Sequence, residues 1–331
     1  MVIQEEIMLT IDNINSDVEK WLSEIDYGQA PKNLYDPIRY CMSLGGKRMR
    51  PMLCLSTCAL FKDDYEQAKW AAMAIEVFHN FTLLHDDVMD KACIRRGKPT
   101  VVAKYGLNTA ILSGDAMLIE AYRLLQLTDS PSFSLIVDTF NKTAREVCEG
   151  QQLDMDFETR DDVTADEYLE MIRLKTAVLL AGAMKIGALV GGAAAQETQA
   201  IYDYGILIGL AFQLQDDLLD SFGDPATFGK AIGGDIMENK KTYMLISALA
   251  KADSGQKREI QAWMSNADPV REEKVAAMKD LFEVTGARAA TEAKIKSLFD
   301  EAMSKLREME IPAEGKRYFI DYADKLFRRD K

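Results

Sequence analysis

The chain has 331 residues, 48% of them hydrophobic, which is ample for a substantial core in one large domain or two ordinary ones. Its 53 acidic against 40 basic residues give a formal net charge of -13, and this excludes nucleic acid and anionic membrane surfaces as main partners because both select a basic footprint. Such acidity suits solubility and bound cations.

The elements follow in chain order. The opening MVIQEEIMLT is acidic, unlike a secretory signal or a transit peptide. Nearly every later segment repeats its apolar residues at three and four spacing, with few alternating β-branched runs and only 8 prolines, so the predicted fold is all-α. Breaks are expected near residues 28–32, 45–46, 97–99, 128–131, 160–164, 191–197, 222–234 and 267–271. Residues 160–164 (RDDVT) have the form of a loop with an N-cap leading into a helix over 165–180. Residues 176–195 are long and apolar, but they are mostly Ala and Gly and carry Lys185; a packed core helix is expected there, and no transmembrane segment. The charged segments after Lys251, among them DPVREEKVAAMKDLFEVTG, are expected to be solvated amphipathic helices without chemistry of their own. No Ser/Gly-rich linker divides the chain, so the expectation is a single domain over 1–331 with ten or more long helices. The cysteines, Cys41, Cys54, Cys58, Cys93 and Cys148, lack zinc spacing and are odd in number, which reads as reduced thiols in a cytoplasmic protein.

Two segments echo each other. DDVMD at 86–90 follows the apolar helix WAAMAIEVFHNFTLLH, and DDLLD at 216–220 follows YGILIGLAFQLQ. Two acidic helix ends placed this way could face each other across one cavity. Residues four apart on a helix lie about 40° from one another, so Asp86 and Asp90 point the same way with Asp87 beside them. Carboxylates this close repel unless a cation joins them, and Mg²⁺ prefers one or two carboxylates plus waters and substrate phosphates. One such motif alone fits a solvated helix turn equally well; two, each after an apolar helix, favour a metal site.

Basic groups surround these motifs. Lys47 and Arg50 follow Gly45-Gly46, three apart on what reads as a starting helix, an arrangement that suits an anion. Arg95 and Arg96 come one short loop after the first acidic motif, and arginine makes multidentate phosphate contacts. Lys175, Thr176, Lys230 and Lys240 fall near predicted helix ends or loops. His79 precedes Asp86 by two turns and fits either a ligand or a packed core histidine. Gln213 stands one turn before Asp217, and Gln151 with Asp154 form a further polar pair.

Together GGKRMRP (45–51), HNFTLLHDDVMD (79–90), RRGKPT (95–100), EGQQLD (149–154), KTA (175–177), FQLQDDLLD (212–220), GKAIGGD (229–235) and KKT (240–242) resemble the trans-isoprenyl diphosphate synthases of the polyprenyl synthetase family. That resemblance implies long helices around a central cavity, a homodimer, and a head-to-tail prenyltransfer. It further implies three Mg²⁺ ions held by Asp86, Asp90 and Asp216, with Asp87, Asp217 and Asp220 completing the metal set. Arg95, Lys175, Lys240 and Lys230 would contact an allylic diphosphate (dimethylallyl, geranyl or farnesyl), while Lys47, Arg50, His79 and Arg96 would hold isopentenyl diphosphate. Thr176, Gln213 and the Lys175 carbonyl would face the carbocation, and the departing diphosphate itself would take the proton.

In such enzymes the residues four and five before the first aspartate set product length, here Thr82 and Phe81. One aromatic beside a small Thr favours a twenty-carbon geranylgeranyl product, with fifteen-carbon farnesyl diphosphate as the alternative. The second DDxxD and GGKRMRP both separate the chain from class I terpene cyclases. Non-catalytic partner subunits commonly lose one aspartate motif, and both are intact here.

Overall fold

The computed structural model describes residues 2–223 and 232–327, and side chains over 13–223 and 232–324. Helices dominate: α1 (Val2–Glu24), α2 (Lys32–Ser43), α3 (Met49–Ala59), α4 (Lys69–Met89), α5 (Val101–Tyr105), α6 (Leu107–Leu125), α7 (Phe133–Glu158), α8 (Ala165–Ile172), α9 (Val178–Gly191) and α10 (Ala195–Phe222), then further helices from Gly234–Met237 to Ala313–Phe327. The all-α expectation is met. Among the described residues the one departure is a hairpin of two short antiparallel strands, Ile94–Arg95 and Lys98–Pro99. Its two-residue turn places Arg96 at φ +53° and Gly97 at φ +72°, the paired left-handed conformation that matches strand twist in the tightest hairpins.

The chain divides into two compact units. The first comprises Met1–Phe140 and Ala183–Thr198. Its centre is α4, which packs along α6 and against α3. From Ala71 to Phe78 every residue of α4 is buried, including Glu76, so the helix is enclosed all round and its sequence is correspondingly apolar without a polar stripe.

The second unit comprises Asn141–Gly182 and Gln199–Lys331. The predicted N-cap is present: Thr164 accepts from the Glu167 amide while the Glu167 carboxylate takes the Thr164 N–H, closing a capping box. The helix predicted over 165–180 is interrupted. Residues Arg173–Ala177 form a π-helical turn between α8 and α9, sealed by the Val178 N–H on the Arg173 carbonyl. One extra residue per turn is not visible in a 3.6-residue apolar period, which is why the sequence reads straight through it.

The apolar stretch is long enough to cross a membrane by length and composition, as Ala165–Gly191, yet 78% of its most apolar window is buried inside the protein. All five cysteines are free thiols.

Two local expectations are corrected. Helix α3 starts at Met49 with Arg48 in the left-handed region (φ 48°), so Lys47 lies in the preceding loop and not on the helix with Arg50. The helix Arg271–Val284 is amphipathic as expected, but it buries Lys274 along with Met278, Leu281 and Phe282.

Candidate active site

In the first unit the end of α4 carries Asp86 and Asp87, with Asp90 as its C-cap. The hairpin folds Arg95 back onto them: Nε lies 2.8 Å from Asp87 Oδ1 and Nη2 lies 3.2 Å from Asp86 Oδ2. Burial raises the Asp87 carboxyl above its usual range, and Arg95 only partly opposes this. Arg96 donates to the Gly45 carbonyl, and its guanidinium stands where a Cβ on Gly46 would go, so the second glycine of the pair is needed for this approach.

The turn between α2 and α3 is fixed by Arg48, a residue with no role in the sequence reading. Its side chain is buried and donates to Glu76 Oε1 (2.7 Å), Glu19 Oε1 (2.9 Å) and the Met42 carbonyl (3.2 Å). Asn80 adds a hydrogen bond to the same Glu76 oxygen at 3.0 Å. Thus Lys47 and Arg50 flank a residue tied to α1 and α4.

Arg50 Nη1 lies 3.0 Å from Nε2 of half-buried His79. Burial first, and then the charge of Arg50, hold the His79 imidazole well below its ordinary pKa, so it is neutral and accepts from the guanidinium. His79 is thus packed and hydrogen-bonded, and its partner is Arg50. His85 turns away, with Nε2 3.1 Å from the Ile111 carbonyl. Phe81 is buried, its ring 5.6 Å from Phe78 and 4.8 Å from His85. Thr82 donates to the His79 carbonyl at 2.8 Å.

In the second unit the π-helical turn presents Lys175 and Thr176. Gly150 of α7 lets this happen, because a Cβ there would run into the Lys175 backbone nitrogen. Lys175 Nζ is 2.6 Å from Asp154 Oδ2, and Lys240 Nζ is 4.0 Å from the same oxygen. Burial works to raise Asp154, but Lys240 and Lys175 outweigh it and keep the carboxyl below its usual range. Asp154 is thus a shared counter-ion for both predicted lysines; the sequence offered it only as half of a polar pair with Gln151.

Beside this cluster runs a hydrogen-bond chain. Thr176 Oγ1 donates to Gln213 Oε1 at 3.0 Å, Gln213 Nε2 donates to Asp217 Oδ1 at 2.9 Å, and the buried Tyr168 hydroxyl donates to Asp217 Oδ2. Burial, reinforced by Asp235, pushes Asp217 up to about 7. Asp220 accepts the Asp235 N–H at 3.0 Å. Lys230 lies outside the described residues. Tyr168, eight positions before Thr176, had no signal beyond the helical period.

Among the described residues no three His, Cys, Asp or Glu side chains converge on one point. The donor set is nonetheless of the right chemistry for Mg²⁺. In the first unit Asp86 is half-buried and Asp90 exposed, and in the second Asp216 is half-buried; each offers hard oxygens, and this ion takes one or two carboxylates while leaving its other positions to water and phosphate. Asp217 fits less well, since a side-chain donor already occupies each of its oxygens.

An all-α chain with two aspartate motifs and basic groups set for anions defines a class of diphosphate-handling enzymes. The polyprenyl synthetase family model matches residues 31–282. A geranylgeranyl diphosphate synthase of Methanosarcina mazei is 42% identical over 275 residues, covering 82% of this chain and 83% of the relative. A geranylfarnesyl diphosphate synthase of Natronomonas pharaonis is 42% identical over 238 residues, 66% of this chain and 70% of the relative. A crystal structure of a geranylgeranyl pyrophosphate synthase superposes with TM-score 0.92 at 45% identity, covering 97% of this chain and 99% of that one. The chain belongs to the polyprenyl synthetase family and is a trans-prenyltransferase of the short-chain isoprenyl diphosphate synthase type.

Proposed function

We propose that the protein condenses isopentenyl diphosphate with an allylic diphosphate by ionisation, condensation and proton elimination, giving geranylgeranyl diphosphate as its main product. The observation that carries this is the pairing of two groups in the second unit. Lys175 and Lys240 gather on Asp154, and next to them Thr176 and Gln213 are locked into one orientation by Asp217. The lysines supply positive charge for a leaving diphosphate, and the adjacent oxygens supply negative dipole for a developing allylic cation.

Asp86, Asp90 and Asp216 would hold Mg²⁺, expected at three ions, with Asp87, Asp217 and Asp220 as the further carboxylates of the two motifs. When bound, the metal supplies charge neutralisation of the departing diphosphate. The remaining work falls to the chain. Because Asp217 accepts from the Gln213 amide nitrogen, Gln213 Oε1 faces Thr176, and the Thr176 hydroxyl hydrogen is committed to it. The Thr176 oxygen lone pairs are then directed outward, toward the cation. Arg95 is held by Asp86 and Asp87 and is placed to shift to diphosphate oxygens. Lys47, Arg50 and Arg96 would hold isopentenyl diphosphate, and neutral His79 keeps Arg50 extended toward it.

Product length is assigned to Phe81, whose buried ring would close the space for the growing tail. Farnesyl diphosphate is the alternative, and a relative named as a geranylfarnesyl diphosphate synthase at 42% identity shows that names of similar chains differ in product length. We infer a homodimer as well: Leu107, Ile111, Leu112 and Ile119 of α6 and Leu135 of α7 are exposed apolar residues of the first unit, a face of the kind that a second copy covers.

The test is a product assay with purified protein, Mg²⁺, isopentenyl diphosphate and each of dimethylallyl, geranyl and farnesyl diphosphate, read by mass spectrometry. A dominant twenty-carbon diphosphate supports the reaction and the Phe81 assignment. A different chain length keeps the reaction and removes that assignment, and no product from folded protein removes the reaction.

A further inference from the structure

Lys274 lies on the helix Arg271–Val284 with only 1% of its surface exposed. Lysines are almost never buried to this degree without a partner, and burial lowers this ammonium's pKa. Its Nζ lies 2.8 Å from Asn239 Oδ1 and 3.4 Å from the Met237 carbonyl. It makes no ion pair among the described residues. Asn239 occupies the left-handed region (φ 54°) and passes its own amide hydrogen to the Met264 carbonyl at 3.0 Å. The next residue is Lys240.

The same helix face grips this segment at two more points. Arg271 Nη2 donates to the Ile232 carbonyl at 2.9 Å, and Val275 lies against Gly233. Positions 271, 274 and 275 share one helical face, so a single rigid element backs the chain from Ile232 to Asn239. Stability alone does not account for the lysine. An apolar side chain of similar length is usually as stable in such a position, since it avoids the desolvation of a charge.

We propose that Lys274 is a positioning residue for Lys240. Its ammonium fixes the Met237–Asn239 backbone and so aims Lys240 toward Asp154 and the allylic diphosphate; the assignment rests on the function proposed above.

The test compares wild type with Lys274→Met and Asn239→Gly, which keeps the left-handed backbone and removes the acceptor. Lys274→Met is expected to melt near wild type, to raise the KM for the allylic diphosphate about tenfold, and to leave that for isopentenyl diphosphate within about twofold. Hydrogen exchange at amides 240–242 should quicken, Asn239→Gly should reproduce both effects, and the double variant should add nothing. Unchanged allylic KM and exchange in folded Lys274→Met would overturn the proposal, as would an equal rise in both KM values together with a lowered melting temperature. Should Lys274→Met not fold, Asn239→Gly decides by the same criteria. If the wild type turns over no substrate, the proposed function fails by itself. The positioning role is then judged by exchange at 240–242 and by calorimetric binding of inorganic pyrophosphate with Mg²⁺, and unchanged exchange and affinity in the variant would reject it.

Discussion

Arg50 donates a hydrogen bond to the imidazole of His79 across 3.0 Å, and the contact exists only while that ring is neutral. An unfolded histidine gains its proton near pH 6.5, whereas folded His79 resists protonation until well below this. Below about pH 6.5 the unfolded chain therefore binds one more proton at this position, and stability falls as the pH falls. Urea midpoints measured from pH 7 to pH 5 should drop more steeply for wild type than for His79→Asn. Equal slopes would reject the assignment. The protein has 2 histidines, so the ring signals can also be followed directly by NMR.

Asp86 and Asp216 are the first carboxylates of the two aspartate motifs and the proposed metal ligands there. Asp86→Ala or Asp216→Ala should lower turnover roughly a thousandfold or more while the helical circular dichroism is retained. Near-normal rates in either variant would end its metal role.

Arg48 and Glu76 form a buried ion pair at 2.7 Å, with both side chains 4% exposed. Arg48→Ala leaves Glu76 uncompensated and should cost about 3–5 kcal/mol in denaturant unfolding. Because the same arginine holds the turn that carries Lys47 and Arg50, the folded fraction should also show a raised KM for isopentenyl diphosphate and a smaller change for the allylic substrate. A loss of stability with both KM values intact would confine Arg48 to the core.

Phe81 packs on Phe78 and His85, so Phe81→Ala removes a buried ring and should cost about 3–5 kcal/mol. If the ring also closes the product tunnel, the variant should release longer prenyl diphosphates, as read by mass spectrometry. Destabilisation with an unchanged product profile would leave Phe81 as core packing only.

Asp154 collects Lys175 at 2.6 Å and Lys240 at 4.0 Å. Asp154→Asn should raise the allylic KM several-fold by releasing both lysines from one orientation, with isopentenyl diphosphate affected less. An equal effect on both substrates would argue against the shared counter-ion.

Helices and their breaks were legible in the sequence because apolar period, caps and glycines act over a few residues; Thr164 with Glu167 is one such local signal, and the acidic ends at 86–90 and 216–220 are another. The place of Lys47 was misread because no local pattern distinguishes the last loop residue from the first helical one when Arg48 takes a left-handed conformation. The π-helical turn that presents Lys175 and Thr176 escapes for a related reason, since the room for its backbone comes from Gly150 on a different helix.

By itself, then, the sequence determined an all-α chain with two aspartate motifs, the basic residues around them, and the family these define. Only the tertiary structure decided how the charges are paired: Arg48 with Glu76, Asp154 with two lysines, Tyr168 with Asp217, and Lys274 buried on a helix that reads as solvated. Each of those pairings joins residues more than twenty positions apart. Their energy comes from desolvation and short-range contact in the folded chain, and neither leaves a periodic trace along it.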